Sequence, residues 1–113
     1  MSLKLSRGDI ILFQPPGSTQ LFTKRIVGLA GDRIRARHHR LDINHHPSPL
    51  PSFSKKAIDN FPLRLVPKQH LFVMGDNPTQ SIDSRHFGSV TISSVEGRVV
   101  AILQPWNQFR WFQ

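Results

Sequence analysis

TKRIVGLAGDRI, residues 23–34, carries a lysine inside an apolar stretch, and its reading decides the fold. Side chains along a β-strand alternate between two faces. Taken as a strand, the stretch sets Phe22, Lys24 and Ile26 on one side and Leu21, Thr23, Arg25 and Val27 on the other. Lys24 then shares its face with two large hydrophobes. Burial among apolar groups disfavours the charged form of an amine, and a neutral amine is what a general base requires. The plainer reading is that Lys24 lays its stem along the sheet and snorkels to water.

The neighbouring segments extend the strand reading in both directions. GDIILFQ (8–14) is short, apolar and rich in isoleucine, and Pro15-Pro16-Gly17 closes it with a turn. After LFTKRIVGL (21–29), Ala30-Gly31-Asp32 interrupts the chain, and RIRAR (33–37) resumes the alternation. RLDIN (40–44) is the next strand, flanked by the histidine pairs 38–39 and 45–46 in turns. The 47–60 stretch is rich in Pro and Ser and reads as a surface loop. Further strands are expected at 70–75, entered from Pro67, and at 94–103, stopped by Pro105. No segment carries a helical apolar stripe of three turns. The aromatic ending PWNQFRWFQ reads as a packing segment. Short strands with Gly and Pro punctuation predict an all-β, mainly antiparallel fold: a β sandwich or partly closed barrel.

The 113 residues suffice for a single domain spanning 1–113, and the 38% hydrophobic content is that of a folded chain. The absence of cysteine excludes a disulfide framework and a cysteine metal site. No window of the sequence reaches the roughly 20 apolar residues of a spanning helix, so the chain as written reads as soluble. Fifteen Lys+Arg against seven Asp+Glu give a formal net charge of +8, which attracts polyanions. Arg33, Arg35, Arg37 and Arg40 form the densest cluster, with Lys55 and Lys56 a smaller one.

Three segments carry the chemistry: RGDIILF (7–13), TKRIVGLAGD (23–32) and GDNPTQSIDSRHFG (75–88). Singly, each is an ordinary turn or polar loop. In this order they resemble three sequence boxes of the type I signal peptidases, membrane-bound serine endopeptidases that use a Ser/Lys dyad, a family that includes the signal peptidases of conjugative transfer. The matching positions are Arg7 to Phe13, Lys24 through Asp32, and Gly75, Asp76, Asn77, Ser81, Asp83, Ser84, Arg85, Phe87 and Gly88. The likeness extends from about residue 7 to 105. Pro78 stands where these enzymes usually carry Arg, and Ala30 where Pro is commoner.

The resemblance implies roles. Lys24 is the general base, Ser81 orients its amine, and Asp83 and Arg85 brace the loop that carries Ser81. The family's nucleophile is a serine in a Ser-Met-x-Pro-like box upstream of the RGD box. Only six residues precede Arg7 here, and neither Ser2 nor Ser6 has that context. The expectation is therefore a catalytic-core fragment with no nucleophile of its own, inactive alone, whose serine box and membrane anchor lie upstream. In the intact protein, the resemblance implies a membrane-anchored enzyme with its catalytic domain outside the cytoplasm. It would remove signal or leader peptides from exported proteins at the membrane surface, with the substrate added as an extended strand.

No cofactor and no metal is implied. His38, His39, His45 and His46 sit in turn positions without supporting carboxylates. His70 and His86 lie near strand ends and lack the pattern of a Ser-His-Asp triad. Two other functions compete. One is a non-catalytic, signal-peptidase-like peptide-binding or assembly module, against which the retained lysine argues. The other is a nucleic-acid binder using the +8 surface; the sequence has no aromatic-basic recognition motif, and no nucleic-acid partner is expected.

Overall fold

Isoleucine, valine and phenylalanine at alternate positions build most of the strands of this chain. The computed structural model describes residues 4–48 and 58–99. In β1 (Ile10–Phe13), Ile11 and Phe13 are fully buried between partly exposed neighbours. β1 pairs antiparallel with β2 (Phe22–Gly28), Ile11 opposite Lys24 and Phe13 opposite Phe22. Residues paired across antiparallel strands share a face. Lys24 is therefore bordered by Ile11 as well as by Phe22 and Ile26.

Two antiparallel sheets result. β3 (Arg33–Arg37), β4 (Arg40–Ile43), β5 (His46–Pro47) and β6 (Phe61–Leu65) make a four-stranded sheet in the order β5-β4-β3-β6. β7 (His70–Met74), β8 (Val90–Thr91) and β9 (Val95–Val99) join the first two strands in a five-stranded sheet ordered β8-β7-β2-β1-β9. One four-residue helix, α1 (Ser84–Phe87), lies between β7 and β8 in the chain. Every strand pairing recorded is antiparallel, as the alternation predicts.

The core has two parts, and the strands β2 and β7 feed both. Val27, Phe72 and Met74 pack with Ile34, Leu41, Ile43 and Val66. Ile26, Leu71 and Val73 point the other way and pack with Ile11, Phe13 and Val90. A strand buried on both faces needs a continuous apolar run rather than alternation, and LFVM at 71–74 is such a run.

Three strands escape the sequence reading. β6 is irregular because its register on β3 shifts: Phe61 lies opposite Ala36 and Arg64 opposite Ile34. The bulge turns Arg64 inward and leaves Leu63 and Leu65 exposed, which inverts the expected pattern. Pro62 is tolerated because β6 is the edge of its sheet. β5 and β8 have only two residues each, too few for periodicity. The 47–60 loop also needs correction at its ends: Pro47 belongs to β5, and Ile58 is buried in the core. Residues 49–57 of that loop, the 100–103 end of the last expected strand and the aromatic ending lie outside the described residues.

Candidate active site

The site is assembled by ion pairs that tie the three sequence boxes to one another. Arg7 donates to Asp32 through Nε at 2.9 Å and Nη2 at 2.7 Å. Asp32 also accepts from the Leu29 amide at 2.7 Å and from Asn44 Nδ2 at 3.0 Å. Burial alone would raise the Asp32 carboxyl, but the bonds from Arg7, Leu29 and Asn44 outweigh it and hold it below the usual carboxylate range. Gly31, at φ +90°, lets the chain turn between β2 and β3 and place this carboxylate. Arg25 donates twice to Asp76, both at 2.8 Å, and once to the Gly8 carbonyl at 2.8 Å. The first box is thereby clamped to the second through Arg7, and the second to the third through Arg25.

Lys24 leaves its strand on the face opposite Arg25, as the alternation predicts. Its Nζ lies 5.7 Å from the centroid of the Phe22 ring and donates to Ser81 Oγ at 3.0 Å. The two residues are 57 apart in sequence. Gly75 makes the approach possible. A Cβ built on Gly75 would overlap Ser81 Oγ, stand 2.6 Å from Ser81 Cβ, and lie 3.4 Å from Lys24 Nζ. Lys24 lines an open cavity of about 150 Å³ together with Ile10, Thr23, Arg25, Gly75 and Asp76.

Asp83 organises the loop that holds Ser81. Its side chain is fully buried and paired with Arg85, Nε to Oδ1 and Nη2 to Oδ2, both at 2.8 Å. It accepts from the Gly75 amide at 3.0 Å and caps α1 by accepting from the Arg85 amide at 3.2 Å. Burial by itself would raise this carboxyl. The bonds from Arg85, Gly75 and the Ser81 hydroxyl, with the Arg85 charge, overcome that and hold it below the usual range. Arg85 also reaches the Ser81 carbonyl at 3.4 Å. His86 lies in α1 rather than at a strand end, and its Nδ1 accepts from the Asp83 amide at 3.2 Å, completing a capping box.

Further contacts seat α1 on the five-stranded sheet. Buried Ser84 accepts from the Val73 amide at 2.9 Å. Phe87 meets Phe13 and Phe22 at centroid distances of 6.4 and 6.3 Å. Arg64 of β6 donates to the Ser84 and Arg85 carbonyls at 3.2 and 3.3 Å. Pro78 occupies the second position of a turn closed by Gln80 N donating to the Asn77 carbonyl at 3.1 Å. A proline there presets φ and stiffens the loop.

Lys24, Ser81, Asp83 and Arg85 thus converge on one locus. Sequence reasoning missed three contributions to it: the space kept by Gly75, the Arg7–Asp32 clamp and the Arg25–Asp76 clamp. The signal for the Arg25 clamp was present, since the second and third boxes each carry an unmatched charge of opposite sign. His38, His39 and His45 adopt positive φ in turns, and among the described residues no cluster of potential metal ligands is found. Among those residues, too, no helix is long and apolar enough to cross a membrane.

The lysine–serine pair thus stands beside an open cavity on the five-stranded antiparallel sheet. Residues 2–106 match the family described as "Signal peptidase, peptidase S26", and the chain belongs to that family. It is 36% identical over 104 residues to the mitochondrial ATP-independent inner membrane protease subunit 1a of Arabidopsis thaliana, covering 91% of this chain and 52% of that protein. It is 34% identical over 119 residues to signal peptidase I of Bacillus caldolyticus, covering 93% of this chain and 65% of the relative. The chain therefore spans about half to two-thirds of the length of these relatives. The crystal structure of a signal peptidase I from Enterococcus faecalis V583 superposes with a TM-score of 0.77 at 31% identity, covering 87% of this chain and 98% of the other.

Proposed function

We propose that residues 1–113 act as one catalytic-core domain of a Ser/Lys-dyad endopeptidase that removes signal or leader peptides from exported proteins. The observation that carries this reading is the 3.0 Å bond from Lys24 Nζ to Ser81 Oγ. Ser81 Oγ accepts that bond, and the Arg85–Asp83 pair holds the loop that carries it. In the neutral amine that bond leaves the lone pair to take a proton from an attacking hydroxyl. This is the arrangement of an oriented base.

In this mechanism the attacking hydroxyl comes from a serine outside the described residues, in a segment upstream of the first box. Its proton passes to Lys24 Nζ as its oxygen attacks the scissile carbonyl. Lys24 then returns the proton to the leaving amine. A water deprotonated by the same amine attacks the acyl-enzyme, and Lys24 passes that proton to the departing serine oxygen. The intact protein is membrane-anchored, with this domain outside the cytoplasm, and its substrates are signal or leader peptides laid against the site as extended strands. No cofactor takes part.

Leader-peptide cleavage by the protein carrying its attacking serine tests the assignment. Lys24→Arg is expected to be inactive, because a guanidinium does not give up its proton. Ser81→Ala is expected to be slower but active, since nucleophile and base remain. Near-normal turnover by Lys24→Arg would rule out the base. A Lys24→Ala protein that still binds leader peptides, from a parent that never cleaves them, would favour the non-catalytic peptide-binding module.

A further inference from the structure

The bulge in β6 places one arginine where strand alternation would not. Phe61 and Arg64 stand opposite Ala36 and Ile34, so β6 takes three steps to its partner's two. An extra residue of this kind re-aims a side chain, and such bulges recur beside active sites. Here the re-aimed side chain is Arg64. It leaves the four-stranded sheet and reaches α1, which lies on the segment that carries Ser81 between two strands of the other sheet.

Two kinds of contact fix its guanidinium. The central carbon lies 4.9 Å from the centroid of the Phe61 ring. Phe61 in turn stacks on Phe72 of β7, with 6.0 Å between centroids and 27° between planes. A guanidinium seated on an aromatic ring is held by both charge and stacking. From there Nη1, which has two hydrogens, donates to the Ser84 carbonyl at 3.2 Å and to the Arg85 carbonyl at 3.3 Å. A helix of four residues cannot satisfy its own carbonyls, so α1 has acceptors to offer.

α1 is therefore gripped from two sides. Asp83 caps its amides, accepts from the Gly75 amide and, through Arg85, fixes the Ser81 carbonyl. Ser84 Oγ accepts from the Val73 amide. Those bonds all lie within residues 73–88, and Arg64 adds one anchor from the other sheet. We infer that Arg64 is a positioning residue for the Lys24–Ser81 pair. It acts through α1 and Asp83, setting the loop on which Ser81 meets the amine at 3.0 Å. The inference rests on reading Lys24 as a base that Ser81 orients.

Leader-peptide kinetics of the protein carrying its attacking serine test this, together with amide hydrogen exchange of the 113-residue chain. Arg64→Met keeps an apolar stem on Phe61 and removes the donors, whereas Arg64→Lys keeps a donor. A displacement of about 1 Å at a reacting group is worth about 100-fold in rate, and Arg64 acts one residue further back. Arg64→Met is therefore expected to lower kcat about tenfold with KM unchanged, and Arg64→Lys to recover most of that loss. In a Ser81→Ala background Arg64→Met should cost nothing more, because its route to the base is gone. The Gly75 amide, bonded to Asp83, should exchange faster in Arg64→Met. The Ile26 amide, bonded to the Asp9 carbonyl in the strands, should keep its parent rate. Leu65→Ser, exposed on the same strand, should change none of these readings. Parent-like kcat in Arg64→Met, an equal loss in Arg64→Lys or a further tenfold loss in the Ser81→Ala background would overturn the inference. So would exchange that rises equally at Gly75 and Ile26, which would mean a general loosening of the fold. Faster exchange confined to Gly75, in a parent that never cleaves leader peptides, would uphold the Arg64 brace and refute the dyad reading instead.

Discussion

Gly75→Ala is the smallest change that should separate Lys24 from Ser81. The added methyl would overlap Ser81 Oγ and stand 2.6 Å from Ser81 Cβ. Carbon atoms in contact rest about 3.5–4.0 Å apart, so one side must retreat by roughly 1 Å. Gly75 is held by its amide bond to buried Asp83, and Ser81 by its carbonyl bond to Arg85. Whichever yields, the 3.0 Å Lys24–Ser81 bond stretches toward about 4 Å and is lost. Overpacking of this kind costs about 1–3 kcal/mol, and each kcal/mol lowers the melting temperature of a domain this size by about 4–8 °C. A displacement of about 1 Å at a reacting group is worth about 100-fold in rate. Thermal melting and leader-peptide turnover read the two effects. Ser81→Gly removes the atoms that the methyl meets, so in that background most of the Gly75→Ala cost should vanish, a coupling of about 1 kcal/mol or more. Wild-type melting and turnover in Gly75→Ala, or strict additivity with Ser81→Gly, would refute the reasoning.

Asp83 should make the fold acid-sensitive. Its carboxyl is held below the ordinary value near ~3.9, so the stability its charge provides is complete above that pH. That contribution is lost as pH falls through the lowered folded value. Asp83→Asn should flatten the low-pH limb of a melting-temperature profile and cost about 3 kcal/mol at neutral pH, because Arg85 is left without its buried partner; an unchanged acid limb would contradict this. Arg25→Ala should cost about 1 kcal/mol, since half of the Asp76 side chain is exposed to solvent. A melting temperature equal to that of the parent would show that the Arg25 clamp does not hold the third box. Leader-peptide turnover by the 113-residue chain, abolished by Lys24→Ala, would make a serine of this chain the nucleophile.

Strand alternation around Lys24 told which face its amine would take, because period-two patterning is a local property and both neighbours on that face are large hydrophobes. The order of the three boxes pointed to Lys24, Ser81, Asp83 and Arg85, and the apolar runs located β1, β2, β3, β4 and β7. β6 was hidden because a bulge reverses its pattern, turning Arg64 in and Leu63 out. Such a bulge arises from the register with β3, which no local window contains. The burial of Ile58 in the core likewise depends on the sheet against which it packs. The partners of Arg7 and Arg25 were legible only as charges. Which carboxylate each would meet depended on bringing residues 25 and 51 positions apart into contact. Gly75 is the clearest case. Composition marks it as a turn glycine, while its role as the space between an amine and a hydroxyl exists only once β2 and β7 have paired and the loop to α1 has folded back over them.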